Sequence, residues 1–305
     1  GLDCSKRSAS GGLVYNPATR QLTWNGQVGP ATDYVISEVA PLPYVNLADL
    51  GVPGICATYF PLDCNDVAIA WPLGTDRYTF YGDTLDELIL SSNGLLFGRA
   101  GWQGLACPAC NQYLPQPVEI NQVMAGLWRD GWPGRRGKGE MYAARLTGLL
   151  SNPTDVVAYA NWQEVGQAED LGITASHAIA VVLNGQSEPA GRIYYIYSNT
   201  TGNLATNGYT VGVEDKVGAR GTTWAFAPCP DTGCIPHAPT GSPPANGTTL
   251  RLDPSATRTF TYQVRVTIAT GALLTNVVRV TSNAADPAAQ SMWAMADVTV
   301  SGPRL

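Results

Sequence analysis

The chain has 305 residues, a net charge of −6 and 45% hydrophobic side chains, enough for one large or two ordinary domains with real cores. Only 14% of residues are charged, while 33 glycines and 22 prolines disfavour long helices and suit short strands joined by turns. The scattered cations argue against nucleic acid as a partner, and no apolar run approaches the roughly 18–20 residues of a membrane-spanning helix.

Residues 1–12 are polar and glycine-bearing, with no core of their own. Gly1 follows no basic-then-apolar leader, so the sequence reads as a processed form or an excerpt. Strands are expected at 12–15 and 21–24, joined by the turn signal Asn16-Pro-Ala-Thr19. Two strands are too few for a stable sheet, and those at the C-terminal end are natural partners. A short helix is expected at 47–50, with a helical turn near Ile120. Strands follow at 86–97, 140–146, 155–162, 177–183, 192–197, 209–214 and 222–226. The basic run Arg135-Arg136-Gly137-Lys138 sits among glycines and reads as a solvated loop. Gly29-Pro30 and the stretch from Gly241 to Gly247 act as linkers around this β-rich middle. The clearest strand is 258–268, where Phe260, Tyr262, Val264, Val266 and Ile268 alternate with polar residues. Further strands are expected at 274–282 and 294–300. No tandem repeat of fixed period occurs.

Six of the seven cysteines fall in close pairs within turn-rich loops, which predicts disulfides Cys56–Cys64, Cys107–Cys110 and Cys229–Cys234 and an oxidising compartment. The protein is therefore expected to be secreted, extracellular or on a cell surface. A tetrathiolate zinc site from Cys107, Cys110, Cys229 and Cys234 is the rival assignment. Cys4 is left over. It is expected to lock an intermolecular contact in which the N-terminal segment pairs with an open sheet edge of the next subunit, giving a homo-oligomer or polymer, with docking of the segment on its own chain as the alternative.

Two stretches resemble known families. The run from Gly12 to Gly26, taken with Phe260-Thr-Tyr-Gln-Val264 and 273–281, resembles the immunoglobulin-like conserved repeat (DUF11-like) of bacterial surface proteins. More than 200 residues separate Trp24 from Phe260 here, so the middle of the chain reads as an insertion in one loop of that repeat. Roughly residues 45–230 resemble the β-sandwich found C-terminal to secreted subtilisin-like (S8) peptidases of Chloroflexi-type bacteria. The resemblance is carried by Tyr44 to Pro53, Cys64-Asn-Asp66, Tyr81-Gly-Asp-Thr-Leu85, Ser91 to Gly94, Asn111 to Pro115, Asn121 to Trp128 and Gly212 to Glu214. The expected fold is all-β, with two β-sandwich domains. An Ig-like sandwich of 1–29 with 249–305 carries a larger sandwich, 30–248, in one loop.

Catalytic chemistry is hard to place. Only His177 and His237 could serve as a base, and His177 shares a strand face with Ile179, Val181 and Leu183, as a core histidine would. Neither a Gly-x-Ser-x-Gly elbow nor a phosphate-binding glycine loop occurs. Glu140, Glu164 and Glu214 formally leave a glycosidase carboxylate pair open, but solvated surface is their simpler reading. Asp63, Asn65 and Asp66 form an oxygen-rich cluster that suits calcium, with Asx-turn capping as the simpler reading. Tyr194, Tyr195, Tyr197, Trp162 and Trp224 raise a glycan-stacking platform. The expected function is a non-catalytic extracellular structural or adhesive protein, a self-assembling subunit of a surface fibre or sheath. The alternative is an accessory module that targets a secreted serine peptidase to a surface or glycan.

Overall fold

The computed structural model describes residues 12–16, 21–25, 33–61, 63–101, 111–116, 120–168, 170–228, 237–255, 273–280 and 292–299. The chain divides into two units, Gly1–Gln27 with Arg258–Leu305, and Val28–Thr257. In the first, Gly12–Asn16 pairs antiparallel with Gln21–Asn25, and Leu273–Val280 with Met292–Thr299. The alternating stretch 258–268 lies outside the described residues.

The second unit is an all-β sandwich of two main antiparallel sheets, with a two-stranded ribbon of Tyr78–Phe80 and Asp83–Leu85 beside them. The larger runs in the order Gly131–Trp132, Val157–Gln167, Thr174–Val182, Ile193–Thr200, Thr249–Ser255, Asp33–Val39, and Glu140–Leu146 also pairs with Val157–Gln167. The smaller runs Gly221–Ala227, Tyr209–Glu214, Val123–Trp128, Leu95–Phe97, Glu87–Ser91, Ala68–Pro72. Thr249–Ser255, assigned from the sequence to the discontinuous unit, is an interior strand of the larger sheet, hydrogen-bonded to Ile193–Thr200 on one side and Asp33–Val39 on the other.

Ala158, Ala160, Trp162, Ile179, Val181 and Tyr195 project from the larger sheet against Leu88, Leu90, Leu96, Met124, Val211 and Val213 of the smaller. Each large apolar side chain buried there is worth about 1.5–3 kcal/mol. Both outer faces are covered as well. Residues 42–52, with Leu149 and Leu150, pack over Val157, Tyr159, Ala180, Val182 and Tyr194. Leu114 and Ile120 pack over Phe97, Val123 and Trp128. Strands buried on both faces read as continuous apolar runs rather than alternating ones.

Side-chain-to-backbone bonds tie the two sheets together. The Tyr195 hydroxyl donates to the Gly212 carbonyl at 2.8 Å and the Tyr197 hydroxyl to that of Gly126 at 2.5 Å. Both acceptors are glycines. A Cβ at Gly212 would sit 2.4 Å from the Thr222 carbonyl oxygen, and one at Gly126 would sit 2.7 Å from Ile179 Cγ1. The two lateral seams are bridged in the same way. Thr222 Oγ1 donates to the Tyr34 carbonyl at 3.1 Å along one, and Arg145 reaches the Leu73 carbonyl and the Asp76 carboxylate along the other.

Helices are short. Leu47–Leu50 forms the expected helical turn, of 3-10 type, capped by the Asn46 side chain. Ile55–Tyr59 is a short α-helix that the sequence reading did not anticipate. Ile120, expected in a helical turn, lies in a bend.

Candidate functional site: a braced loop beside a tyrosine–amide cluster

Cys56 and Cys64 are joined by a disulfide, with Cα atoms 5.5 Å apart. The loop it closes holds the Ile55–Tyr59 helix, and Glu140 fastens that helix to the larger sheet. One carboxylate oxygen of Glu140 accepts from the Cys56 N–H at 2.7 Å and the other from the Ala57 N–H at 3.0 Å. The first-turn N–H groups of a helix have no partner within it, so a carboxylate there satisfies both and complements the helix dipole. Gly54 makes room, since a Cβ would lie 2.4 Å from Glu140 Oε2. Glu140 was expected on the solvated surface; its carboxylate is instead an anchor.

Asp63, Asn65 and Asp66 come together within the same loop. Asp63 Oδ1 accepts from the Asn65 N–H at 3.0 Å, the Asx-turn arrangement. Asp66 Oδ2 accepts from the Asn65 amide at 3.1 Å and Oδ1 from the Asn93 amide at 2.9 Å. These oxygens brace the loop against the turn at Asn93. Among the described residues no group of three or more His, Cys, Asp or Glu is arranged to hold a metal ion.

The neighbouring outer face of the larger sheet carries a cluster that the sequence did not reveal. Residues 159, 161 and 163 alternate onto this face, and Tyr142 is the cross-strand partner of Asn161. The Tyr44 hydroxyl, from the covering segment, donates to Gln163 Oε1 at 2.8 Å and accepts from the Asn161 amide at 3.0 Å. Tyr159 accepts from the Val45 N–H at 2.9 Å. Asn161 is fully buried and its Oδ1 has no hydrogen-bond partner. Tyr44, Tyr142 and Gln163 are half-buried, and Asp49 and Glu164 are exposed. A β-bulge follows Trp162, with Glu164 in the left-handed region at φ 49° and its N–H donated to Ser176 Oγ at 3.0 Å. Bulges re-aim side chains, and a non-glycine residue at positive φ is strained. Burial raises the Tyr44 phenol well above its ordinary pKa, the Asn161 bond lowers it, and Tyr142, Glu164 and Asp49 add to the rise. Burial, then Glu140 and Asp49, raise the Tyr142 phenol.

The other residues marked in the sequence lie elsewhere. Glu214, expected at the surface, is fully buried and accepts from the Gln116 N–H at 2.9 Å. Burial pushes its pKa up to about 8, against the Gln116 bond, with Asp215 adding to the rise. Glu140 and Glu164 thus stand on neighbouring strands of the larger sheet, and Glu214 on the smaller. His177 is buried in the core, and the exposed His237 stacks on Tyr113 with ring centroids 3.5 Å apart. The glycan platform is overturned by burial. Tyr194, Tyr195, Tyr197 and Trp162 are core residues, and Trp224 packs part-buried against the same core. Cys4, Cys107, Cys110, Cys229 and Cys234 lie outside the described residues.

Fold and site together define an all-β sandwich of extracellular type, braced by a disulfide. Residues 64–264, about two thirds of the chain, match the model of the family described as NIDO related, and the chain belongs to that family. The matched stretch holds Tyr142, Asn161, Gln163 and Glu164, while Tyr44, Asp49 and Cys56 precede it. No curated protein and no solved structure matches the chain.

Proposed function

We propose that this protein is a non-catalytic extracellular module whose work is adhesive, within a larger surface structure. Membership of the NIDO-related family carries the reading. The disulfide-braced loop supports an oxidising location, and no helix among the described residues is long and apolar enough to cross a membrane. A sandwich with both outer faces covered, tied across its sheets and bridged at two seams, suits a rigid spacer that presents a site. Three titratable residues weighed for catalysis, Glu140, Glu214 and His177, are engaged in anchoring or core packing, which fits a module without catalysis.

Two finer readings belong to the same proposal. The resemblance of 12–26, 260–264 and 273–281 to the immunoglobulin-like repeat supports a surface protein in which the middle of the chain is an insertion. The resemblance of the middle of the chain to the peptidase-associated sandwich supports a targeting role. Self-assembly through residues 1–12, with Cys4 locking the contact, is the fibre version. Adhesion of the purified, unreduced chain to cells and extracellular matrix tests the main reading, and its failure on all such surfaces would count against it. Sedimentation and negative-stain microscopy test the fibre version, which predicts concentration-dependent polymers that the Cys4→Ser change weakens.

A further inference from the structure

We propose that this protein forms a two-fold dimer by pairing the edge strand Ala68–Pro72 with the same strand of a second copy. The proposal goes beyond the adhesive reading and does not depend on it. The Val67 carbonyl accepts from the Ser92 N–H at 2.9 Å, and the Leu73 N–H donates to the Asp86 carbonyl at 2.8 Å. Backbone groups alternate in direction along a strand, so those of Ile69 and Trp71 also face Glu87–Ser91. The N–H and C=O groups of Ala68 and Ala70 face the other way, and no partner among the described residues meets them. No other strand or helix runs alongside. Ile69 and Trp71 pack into the core between the sheets, and Ala68 and Ala70 against the cluster on the outer face. The strand is still part-exposed from Ala68 to Trp71, whereas its neighbour is buried from Leu88 to Ser91. With both faces packed, the exposed surface is the edge itself. Such an edge is a template for another strand.

The other edges are protected. Along Gly221–Ala227, Phe226 pairs with Thr240, and Thr223 Oγ1 bonds both the N–H and the C=O of Leu114. Asp33–Val39 gives its Tyr34 carbonyl to Thr222 and carries the exposed Glu38. Glu140–Leu146 carries Glu140 and Arg145, and the Met141 N–H is taken by the Glu140 carboxylate. Val67 to Trp71 holds no charge, so two copies meet without repulsion. Ala68-Ile69-Ala70 also reads the same in both directions, which fits it to an antiparallel copy of itself. A two-fold axis at Ile69 sets Ala68 opposite Ala70 of the second copy, and every outward N–H and C=O of these alanines then finds its complement. Pro72, without an N–H, ends the ladder on each side. The two six-stranded sheets become one continuous sheet, and the dimer carries two copies of any surface site.

The test is sedimentation of the full chain over a concentration series, with Cys4→Ser to remove any disulfide between copies through that residue. A reversible monomer–dimer equilibrium is expected, with a Kd of about 10–1,000 µM because one strand pair is a small interface. Ala70→Pro deletes an outward N–H and no bond to Glu87–Ser91, and is expected to raise that Kd by about tenfold or more. If this change lowers the melting temperature, amide exchange of the unsubstituted strand decides the matter. The amides of Ala68 and Ala70 are expected to exchange more slowly as concentration rises, while those of Ile69 and Trp71 stay protected throughout. A chain that remains monomeric at about 1 mM, a dimer indifferent to Ala70→Pro, or exchange at Ala68 and Ala70 that ignores concentration would overturn the assignment. Polymers with those two amides unprotected would overturn it in favour of pairing through residues 1–12.

Discussion

The imidazole of His177 lies flat on the indole of Trp162, with ring centroids 4.8 Å apart and planes 2° from parallel. Trp162 Nε1 donates to the Ser91 carbonyl at 2.9 Å, and His177 Nε2 faces the Gly94 carbonyl at 3.4 Å. The stacked pair thereby pins the 91–94 turn of the smaller sheet to the larger. Gly94 closes that turn at φ 80°, where a Cβ would lie 2.1 Å from the Leu127 carbonyl oxygen.

Burial, then the Arg129 cation, push the His177 pKa down from 6.5 to about 3. The fold therefore keeps this ring neutral while the unfolded chain protonates it near pH 6.5. Its contribution is fully present above that pH and is lost as pH falls from about 6.5 towards 3, amounting to a few kcal/mol, about 1.4 per pH unit. Urea midpoints measured from pH 7 to pH 4 are expected to fall for the parent. They should fall less steeply for His177→Gln, and parallel slopes would refute the assignment.

Glu214 acts in the opposite direction. Its pKa is raised from 4.5 to about 8, so the fold holds the protonated acid and the unfolded chain ionises first. Its contribution is full below pH 4.5 and declines as pH rises towards 8. Glu214→Gln keeps the shape without the charge and is expected to raise stability at pH 8 by on the order of 1–3 kcal/mol, with little change at pH 4.5. A destabilised Gln variant at pH 8 would show that the ionised carboxylate is the native form.

The Cys56–Cys64 bond and the Glu140 clamp hold the same helix by different means. Closing a loop of this length stabilises by about 2–3 kcal/mol on the chain-entropy account, so Cys56→Ser with Cys64→Ser should lower the unfolding free energy by that much. Glu140→Ala is expected to cost about 1–2 kcal/mol through two orphaned helix N–H groups. Since both act on one loop, the combined variant should lose less than the two losses added. Chemical denaturation of the three variants checks it.

Tyr195→Phe and Tyr197→Phe each delete one cross-sheet hydroxyl and leave a glycine carbonyl buried. Each is expected to cost about 1–2 kcal/mol with the fold unchanged. Unchanged stability in both variants would mean that these two hydroxyls add nothing to the cohesion of the sheets.

Local regularity decided what could be read in advance. Strands Glu140–Leu146 and Tyr209–Glu214 and the helical turn Leu47–Leu50 fall where the sequence places them, because β-formers or caps mark their ends. Val123–Trp128 is buried at all six positions, so it shows no alternation, and Thr249–Ser255 carries Pro254, which argues against an interior strand. The aromatic run at 194–197 misled for a related reason. In a strand covered on both faces, neighbouring tyrosines go to opposite cores and none to solvent. This cluster was illegible because Tyr44, Tyr142, Asn161 and Gln163 meet only through the covering segment and the cross-strand register. The Glu164 bulge leaves no mark in composition.

Asp33 and Ser255 are register partners at the ends of two neighbouring antiparallel strands. The chain thus enters and leaves the sandwich at one point. A pull applied at these two positions loads the pair Asp33–Val39 and Thr249–Ser255 end-on, opening its hydrogen bonds one after another like a zipper. The rest of the sandwich, with the Tyr44 cluster and the braced loop, sits off the line of force until that pair has parted. Tension along the polypeptide would therefore be relieved first at this gate of two strands, leaving the site intact at low load.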